Sequence, residues 1–345
     1  MKHRILVNVI SVILCVLWQD LAAQTMRRQI VERGGNGPYA AEIVSDASFP
    51  EFTFYRPQDM QKAVMEEGRL PIVLYANGGC SYSNIEIRYF LSELASYGYL
   101  AAAIGPYTDE DFISHWKEVL SFMYPTGKQV ILANGEEIAE PTEEEKDARY
   151  QAHMKQVKED EAAGKEENVK TTYPRMLLEV LDWLIWQNEN PDSEYYHKID
   201  TDKVAAMGQS CGGVQALSVS VDPRVKTSVI LNSGVGDLQM QGVDKEILAN
   251  LHAPLFYLIG GPSDIAFPNA KKDFERIQGI PVVMINTTDG HEGTYYEENG
   301  GEYAVAVRKW LDWQLKGEIG QSALFLDEDY LHTLFPDWEM VKKNY

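Results

Sequence analysis

Three side chains in this chain have the types and the order needed to attack a carbonyl carbon: Ser210 in "VAAMGQSCGGVQAL", Asp264 in "GGPSD" and His291 in "DGHEG". A serine hydroxyl is a poor nucleophile until an imidazole takes its proton. The imidazole in turn needs a carboxylate to fix its tautomer and stabilise its charged form. Gly208, Gly212 and Gly213 surround Ser210, more glycine than a plain turn uses. The G-x-S-x-G spacing suits a strained strand-to-helix turn that runs close to its neighbours, where a Cβ would clash. The simpler reading is a glycine-rich turn with no chemistry, and the rest of the chain has to decide.

Competing residues are few. His252, His291 and His332 are the histidines that follow the serine. His252 precedes its β run in "HAPLFYLIG" and so belongs at the wrong sheet edge, while His332 lies in the C-terminal tail. Asp237 in "NSGVGD" follows the preceding β run and is the rival acid. Asp289 stands too near His291 to buttress it from a separate strand end, and Glu292 is expected to face solvent or cap the next turn.

An oxyanion hole needs two backbone N–H donors, one from the residue after the nucleophile and one from the loop after an earlier strand. Cys211 is the first, and "YANGGC" supplies the second from Gly79 or, failing that, Cys80. Cys80 and Cys211 then flank the same hole. They are either bonded, which would lock the two donor loops together, or two small buried thiols. No His, Cys and Asp cluster has metal-ligand spacing, and no loop matches a phosphate cradle, so neither metal nor other cofactor is expected.

These residues need a frame that brings distant points of the chain together. Apolar runs at "LPIVLYANGG" (70–79), "YLAAAIGP", "KVAAMGQS", "TSVILNSG", "PLFYLIGG" and "PVVMINTTDG" read as buried strands. "RYFLSELASYGY", "YPRMLLEVLDWLIWQN", "FERIQG" and "EYAVAVRKWLDWQLKG" read as helices. "GPYAAEIVSDASFPEFTFYRP" suits an opening antiparallel pair. Strands alternating with helices predict an α/β fold, a mostly parallel sheet flanked by helices on both faces. Ligands bind beyond the carboxyl ends of such strands. Ser210, Asp264 and His291 each follow one, and their order along the chain is the one α/β-hydrolases use.

With 345 residues the chain can bury a large core, expected as a single domain over 24–345. A formal net charge of -21 argues against nucleic acid, whose phosphates call for clustered Lys and Arg. "MKHR", "ILVNVISVILCVLW" and "LAAQ" read as a signal peptide over 1–23, with cleavage near Ala23. Its apolar run is short for a membrane span. Cys15 in "VILC" would be the lipoprotein cysteine, but Leu14 before it is too bulky for that processing. The protein is therefore expected to be exported, periplasmic or secreted, with no stable span after signal removal and in a compartment where disulfides persist.

Residues 107–172 interrupt the alternation of strand and helix. Asn134-Gly135 in "KQVILANGEEIAEP" is a strong hairpin signal. The acidic "PTEEEKDARYQAHMKQVKEDEAAGKEEN" then reads as a charged helix or a flexible segment. The insertion is either a solvated surface feature or a cap over the site.

The stretches "FPEFTFYRP", "LPIVLYANGGC", "GQSCGGVQAL", "DPRV", "GGPSDIAFPNA", "GHEGTYYEENGGEYA" and "WLDWQLKG" together resemble exported α/β-hydrolases of the dienelactone-hydrolase and cutinase-like, polyester-hydrolase-like branch. The resemblance spans most of residues 37–317. It implies the α/β-hydrolase fold and a serine triad at Ser210, Asp264 and His291. The chain departs from that family in its longer acidic insertion and in Asn77, which stands where a histidine often precedes the glycine. Dienelactone hydrolases proper use a cysteine nucleophile, so their activity is not implied for a chain with serine. The expected activity is hydrolysis of a small-molecule or polymer-linked carboxylic ester. A serine peptidase or amidase would use the same triad with a pocket for a free amine, and a binding protein on a hydrolase fold would show no turnover.

Overall fold

Strands that are apolar along their whole length have to be covered on both faces, and that requirement organises the molecule. The computed structural model describes residues 26–107, 130–131, 137–138 and 172–345. The signal peptide read at 1–23 and most of the insertion at 107–172, with its cap reading, lie outside the described residues.

The first strands are β1 (Met26–Ile30), β2 (Ala41–Asp46) and β3 (Phe52–Pro57), followed by α1 (Met60–Glu67), β4 (Leu70–Ala76), α2 (Arg88–Ser96) and β5 (Leu100–Ile104). Two short strands follow, β6 (Val130–Ile131) and β7 (Glu137–Ile138), antiparallel and flanking Asn134-Gly135 with Val130 opposite Ile138. The chain continues through α3 (Arg175–Glu189), β8 (Ile199–Gln209), α4 (Cys211–Val219), β9 (Val225–Leu231), β10 (Leu255–Ile259), α5 (Phe267–Arg276) and β11 (Val282–Asn286). It ends with α6 (Gly301–Leu311), α7 (Ala323–Leu326), α8 (Glu328–Leu334) and β12 (Glu339–Lys343).

Ten strands form one sheet in the order β1-β2-β3-β5-β4-β8-β9-β10-β11-β12. The pairs from β5 through β4, β8, β9 and β10 to β11 are parallel. The β1–β2, β2–β3, β3–β5 and β11–β12 pairs at the two sides are antiparallel. The protein is thus a mixed α/β structure with a large, mostly parallel sheet between helices.

Alternation along β4 shows how one strand serves both layers. Leu70, Ile72, Leu74 and Ala76 enter a core with residues of α1, α3, α4 and α5. Val73 and Tyr75 enter the opposite core, with residues of α2, α6, α7 and α8. Among the described residues no helix is long and apolar enough to cross a membrane.

Candidate active site

The sharpest backbone feature lies where β8 gives way to α4. Ser210 sits between them at φ 52° and ψ -122°, a conformation that a non-glycine residue adopts only when its surroundings hold it there. Its N–H donates to Leu231 O at 3.0 Å, and its carbonyl accepts from Ser233 Oγ at 2.6 Å and from Gly213 N at 2.9 Å. The flanking glycines are needed by space. A Cβ on Gly212 would lie 2.1 Å from Ala76 O, and one on Gly208 would lie 2.2 Å from Gly212 O. Both obstacles are backbone atoms, which cannot swing aside.

Asp264 follows β10 and His291 follows β11, neighbouring parallel strands, so both residues sit at the carboxyl-end edge with Ser210. His291 Nε2 lies 2.9 Å from Ser210 Oγ, and His291 Nδ1 lies 2.6 Å from Asp264 Oδ1. The Asp264 side chain is 0% exposed and that of His291 11%. Asp264 Oδ1 also accepts from Ala266 N at 2.8 Å, and Oδ2 accepts from Gly260 N at 3.0 Å and Asn232 Nδ2 at 2.8 Å. Burial pushes this carboxyl up. The hydrogen bonds from His291, Ala266 and Asn232, with the charge of His291, outweigh burial and hold it below its ordinary value. For His291 burial acts downward, but the hydrogen bond and charge of Asp264, with the charge of Glu292, raise the imidazole above its ordinary value. A base and its carboxylate that favour each other's charged forms are what proton transfer from a serine requires.

The rival acid is occupied elsewhere. Asp237 accepts from Lys272 Nζ at 2.7 Å and Arg276 Nη2 at 2.5 Å, and these cations hold its carboxyl down at about 2. His252 bonds Asp222 O and His332 bonds Trp338 O, both away from the serine.

Cys211 is the first residue of α4, where helix N–H groups lack partners within the helix. Facing it is the loop after β4. Gly79 has φ 60° and Cys80 φ 51°, two successive left-handed residues. Cys80 and Cys211 are joined by a disulfide, with Cα atoms 5.2 Å apart, so the two loops are covalently tied. Asn77 is 4% exposed and donates through Nδ2 to Ser81 O at 2.9 Å and Ile104 O at 2.7 Å, which braces the loop from β5.

Contrary to the expectation from sequence, Glu292 does not face solvent: it is 4% exposed, in a segment flanked by left-handed Gly290 (φ 71°) and Gly293 (φ 55°). Its Oε2 accepts from Tyr296 OH at 3.2 Å, and its Oε1 has no hydrogen-bond partner among the described residues. Burial raises this carboxyl, against the charge of His291. Glu86 is raised further, first by burial and then by the charge of Glu292, with Arg88 opposing.

Sequence reasoning missed Asn232, which is fully buried. Its Nδ2 bonds both Asp264 Oδ2 and Gly290 O, the latter at 2.9 Å, and its Oδ1 accepts from Tyr295 OH. It therefore ties Asp264 to the loop that carries His291. The only hint was its position directly after a strand in "LNSG". Among the described residues no three His, Cys, Asp or Glu side chains are grouped as metal ligands would be. No protein-family model matches the chain, and no curated protein is significantly similar to it.

Proposed function

We propose that this protein is an exported serine hydrolase with an α/β-hydrolase fold that cleaves carboxylic esters. The observation that carries the reading is the continuous Asp264–His291–Ser210 hydrogen-bonded chain, 2.6 Å and 2.9 Å long, ending at a serine in a strained strand-to-helix turn. Ser210 Oγ attacks the acyl carbon while His291 Nε2 takes its proton. The N–H groups of Cys211 and Gly79 receive the oxyanion. His291 gives the proton to the leaving alcohol, and water, deprotonated by the same imidazole, then releases the acid and restores Ser210. All of these steps use side chains and backbone of this chain.

Two further observations support the reading. Ile265, directly after Asp264, is 73% exposed and is an apolar side chain available beside the triad for an acyl or alcohol group. The Cys80–Cys211 bridge suits an oxidising compartment outside the cytosol.

Ser210→Ala is expected to abolish turnover of a short-chain p-nitrophenyl ester, by at least about 10³-fold. Unchanged turnover would overturn the assignment. Comparison of the ester with the matching p-nitroanilide reads ester against amide preference, with faster ester cleavage expected.

A further inference from the structure

The loop that carries the second oxyanion donor is held by more than its disulfide. Cys80 O accepts two hydrogen bonds from Thr172, from its N–H at 3.3 Å and its Oγ1 at 3.0 Å. Gln215 Nε2 donates to Cys80 Sγ at 3.2 Å and to Thr172 Oγ1 at 3.0 Å. The protons are consistent: the amide nitrogen of Gln215 has two to give, and the threonine hydroxyl accepts one bond while donating its own hydrogen to Cys80 O. Thr172 and Gln215 are each 0% exposed, so no water competes for these bonds.

The arrangement follows from helix geometry. Cys211 and Gln215 are four residues apart on α4, and so share one face of that helix. That face meets the loop twice, through a covalent bond and through an amide. Thr172, which leads into α3, closes the ring from a third direction. What is held is a loop with two successive left-handed residues, Gly79 and Cys80. A loop in that conformation keeps its N–H groups aimed only while its neighbours over-determine it. Oxyanion stabilisation depends on donors that are already in place and need not reorganise.

We propose that Thr172 and Gln215 are positioning residues for the hydrolytic reaction, acting with the Cys80–Cys211 bridge as one clasp that keeps the Gly78–Cys80 backbone in register with the start of α4. This rests on the hydrolase reading of Ser210. Neither side chain touches the reacting atoms. They act through Cys80, so the benefit falls on the tetrahedral intermediate and not on the bound ester.

The experiment compares Thr172→Val, which keeps volume and the backbone bond but deletes the hydroxyl, with wild type and with Thr172→Ser. Hydrolysis of a p-nitrophenyl ester gives kcat and KM. Inhibition by a trifluoromethyl ketone, which adds to the serine and places an oxyanion in the hole, is measured beside inhibition by the product alcohol. Thr172→Val is expected to lower kcat and ketone affinity by the same factor, about tenfold, with KM and alcohol affinity changed less than about twofold, and Thr172→Ser is expected to restore both. Should Thr172→Val not fold, Gln215→Met, which removes the amide donor at similar length, is predicted to give the same split.

A folded Thr172→Val enzyme with unaltered kcat and ketone affinity would overturn the clasp. So would an equal loss for ketone and alcohol, which would show general loosening of the site. Failure of the hydrolase reading is distinct, since the wild type itself would then neither turn over the ester nor bind the ketone through Ser210.

Discussion

Asn232 offers the most quantitative check on how Asp264 and His291 are held for the proposed reaction. Replacing it by alanine removes one of the three donors besides His291 that hold Asp264, the amide at 2.8 Å from Oδ2. A hydrogen bond to a charged group contributes about 1.5–3 kcal/mol. If that energy is felt fully in the transition state, where the imidazolium leans on Asp264, kcat/KM falls by about 10- to 150-fold. Stability should fall as well, because Gly290 O and Tyr295 OH lose their partner in a fully buried site. Each orphaned group costs about 1–3 kcal/mol. Alanine at φ 44° adds about 1–2 kcal/mol that asparagine tolerates better. The sum, about 3–8 kcal/mol, is a large part of the roughly 5–15 kcal/mol that keeps a protein folded. The assay is therefore kcat/KM on a p-nitrophenyl ester at low temperature, on protein shown folded by near-ultraviolet circular dichroism. Asn232→Gly, which tolerates the left-handed backbone, serves as the strain-free control. A folded Asn232→Gly enzyme within about twofold of wild type would refute the reasoning, because Asp264 would then be positioned without the amide.

Other expectations follow from the charges around the site. His291 must be neutral to act as base, and Asp264 and Glu292 favour its protonated form. The acidic limb of the kcat/KM–pH profile should therefore have its midpoint above the ordinary 6.5 of histidine, with activity lost as pH falls through it. Asp264→Asn removes the hydrogen bond and charge that raise it, and should move that limb to lower pH while depressing the plateau; an unmoved limb would contradict the pairing. Burial, with the charge of Glu292, raises the Glu86 carboxyl, so its contribution to stability is full below the unfolded carboxyl range and is lost as pH rises toward its folded value. Glu86→Gln should accordingly gain in melting temperature relative to wild type as pH rises from about 4 to about 8, a trend that thermal unfolding at the two pH values reads directly.

What was legible in the sequence depended on whether a residue's role was local. Apolar runs of five to seven residues such as β4, β5 and β10 announced a buried parallel sheet because both of their faces need cover. Once those runs were strands, Ser210, Asp264 and His291 each stood just past a strand end, and the sheet brought three sequence-distant points to one edge. Cys80 and Cys211 could be placed side by side for the same reason. The edge strands β1 (MRRQI) and β12 (EMVKK) were not read as strands, since a sheet edge with one paired side tolerates charge. Gln215 looked like an ordinary polar residue in a helix, and Thr172 like the end of an insertion. Their partners lie 135 and 92 residues away at Cys80, and only the packing of α3 and α4 against the loop brings them together. Glu292 misled because a carboxylate between glycines reads as exposed, whereas its burial is set by tertiary packing that sequence does not display.

The central claim is that Ser210 is an activated nucleophile. Treatment of the folded protein with a fluorophosphonate, followed by proteolysis and mass spectrometry, tests it most directly, because only a serine with a working base reacts at an appreciable rate. The account predicts a single adduct on the peptide containing "GQSCGG", absent in Ser210→Ala and formed at least about a hundredfold more slowly in His291→Ala. No adduct on the wild type, or one on another serine that persists in Ser210→Ala, would contradict it.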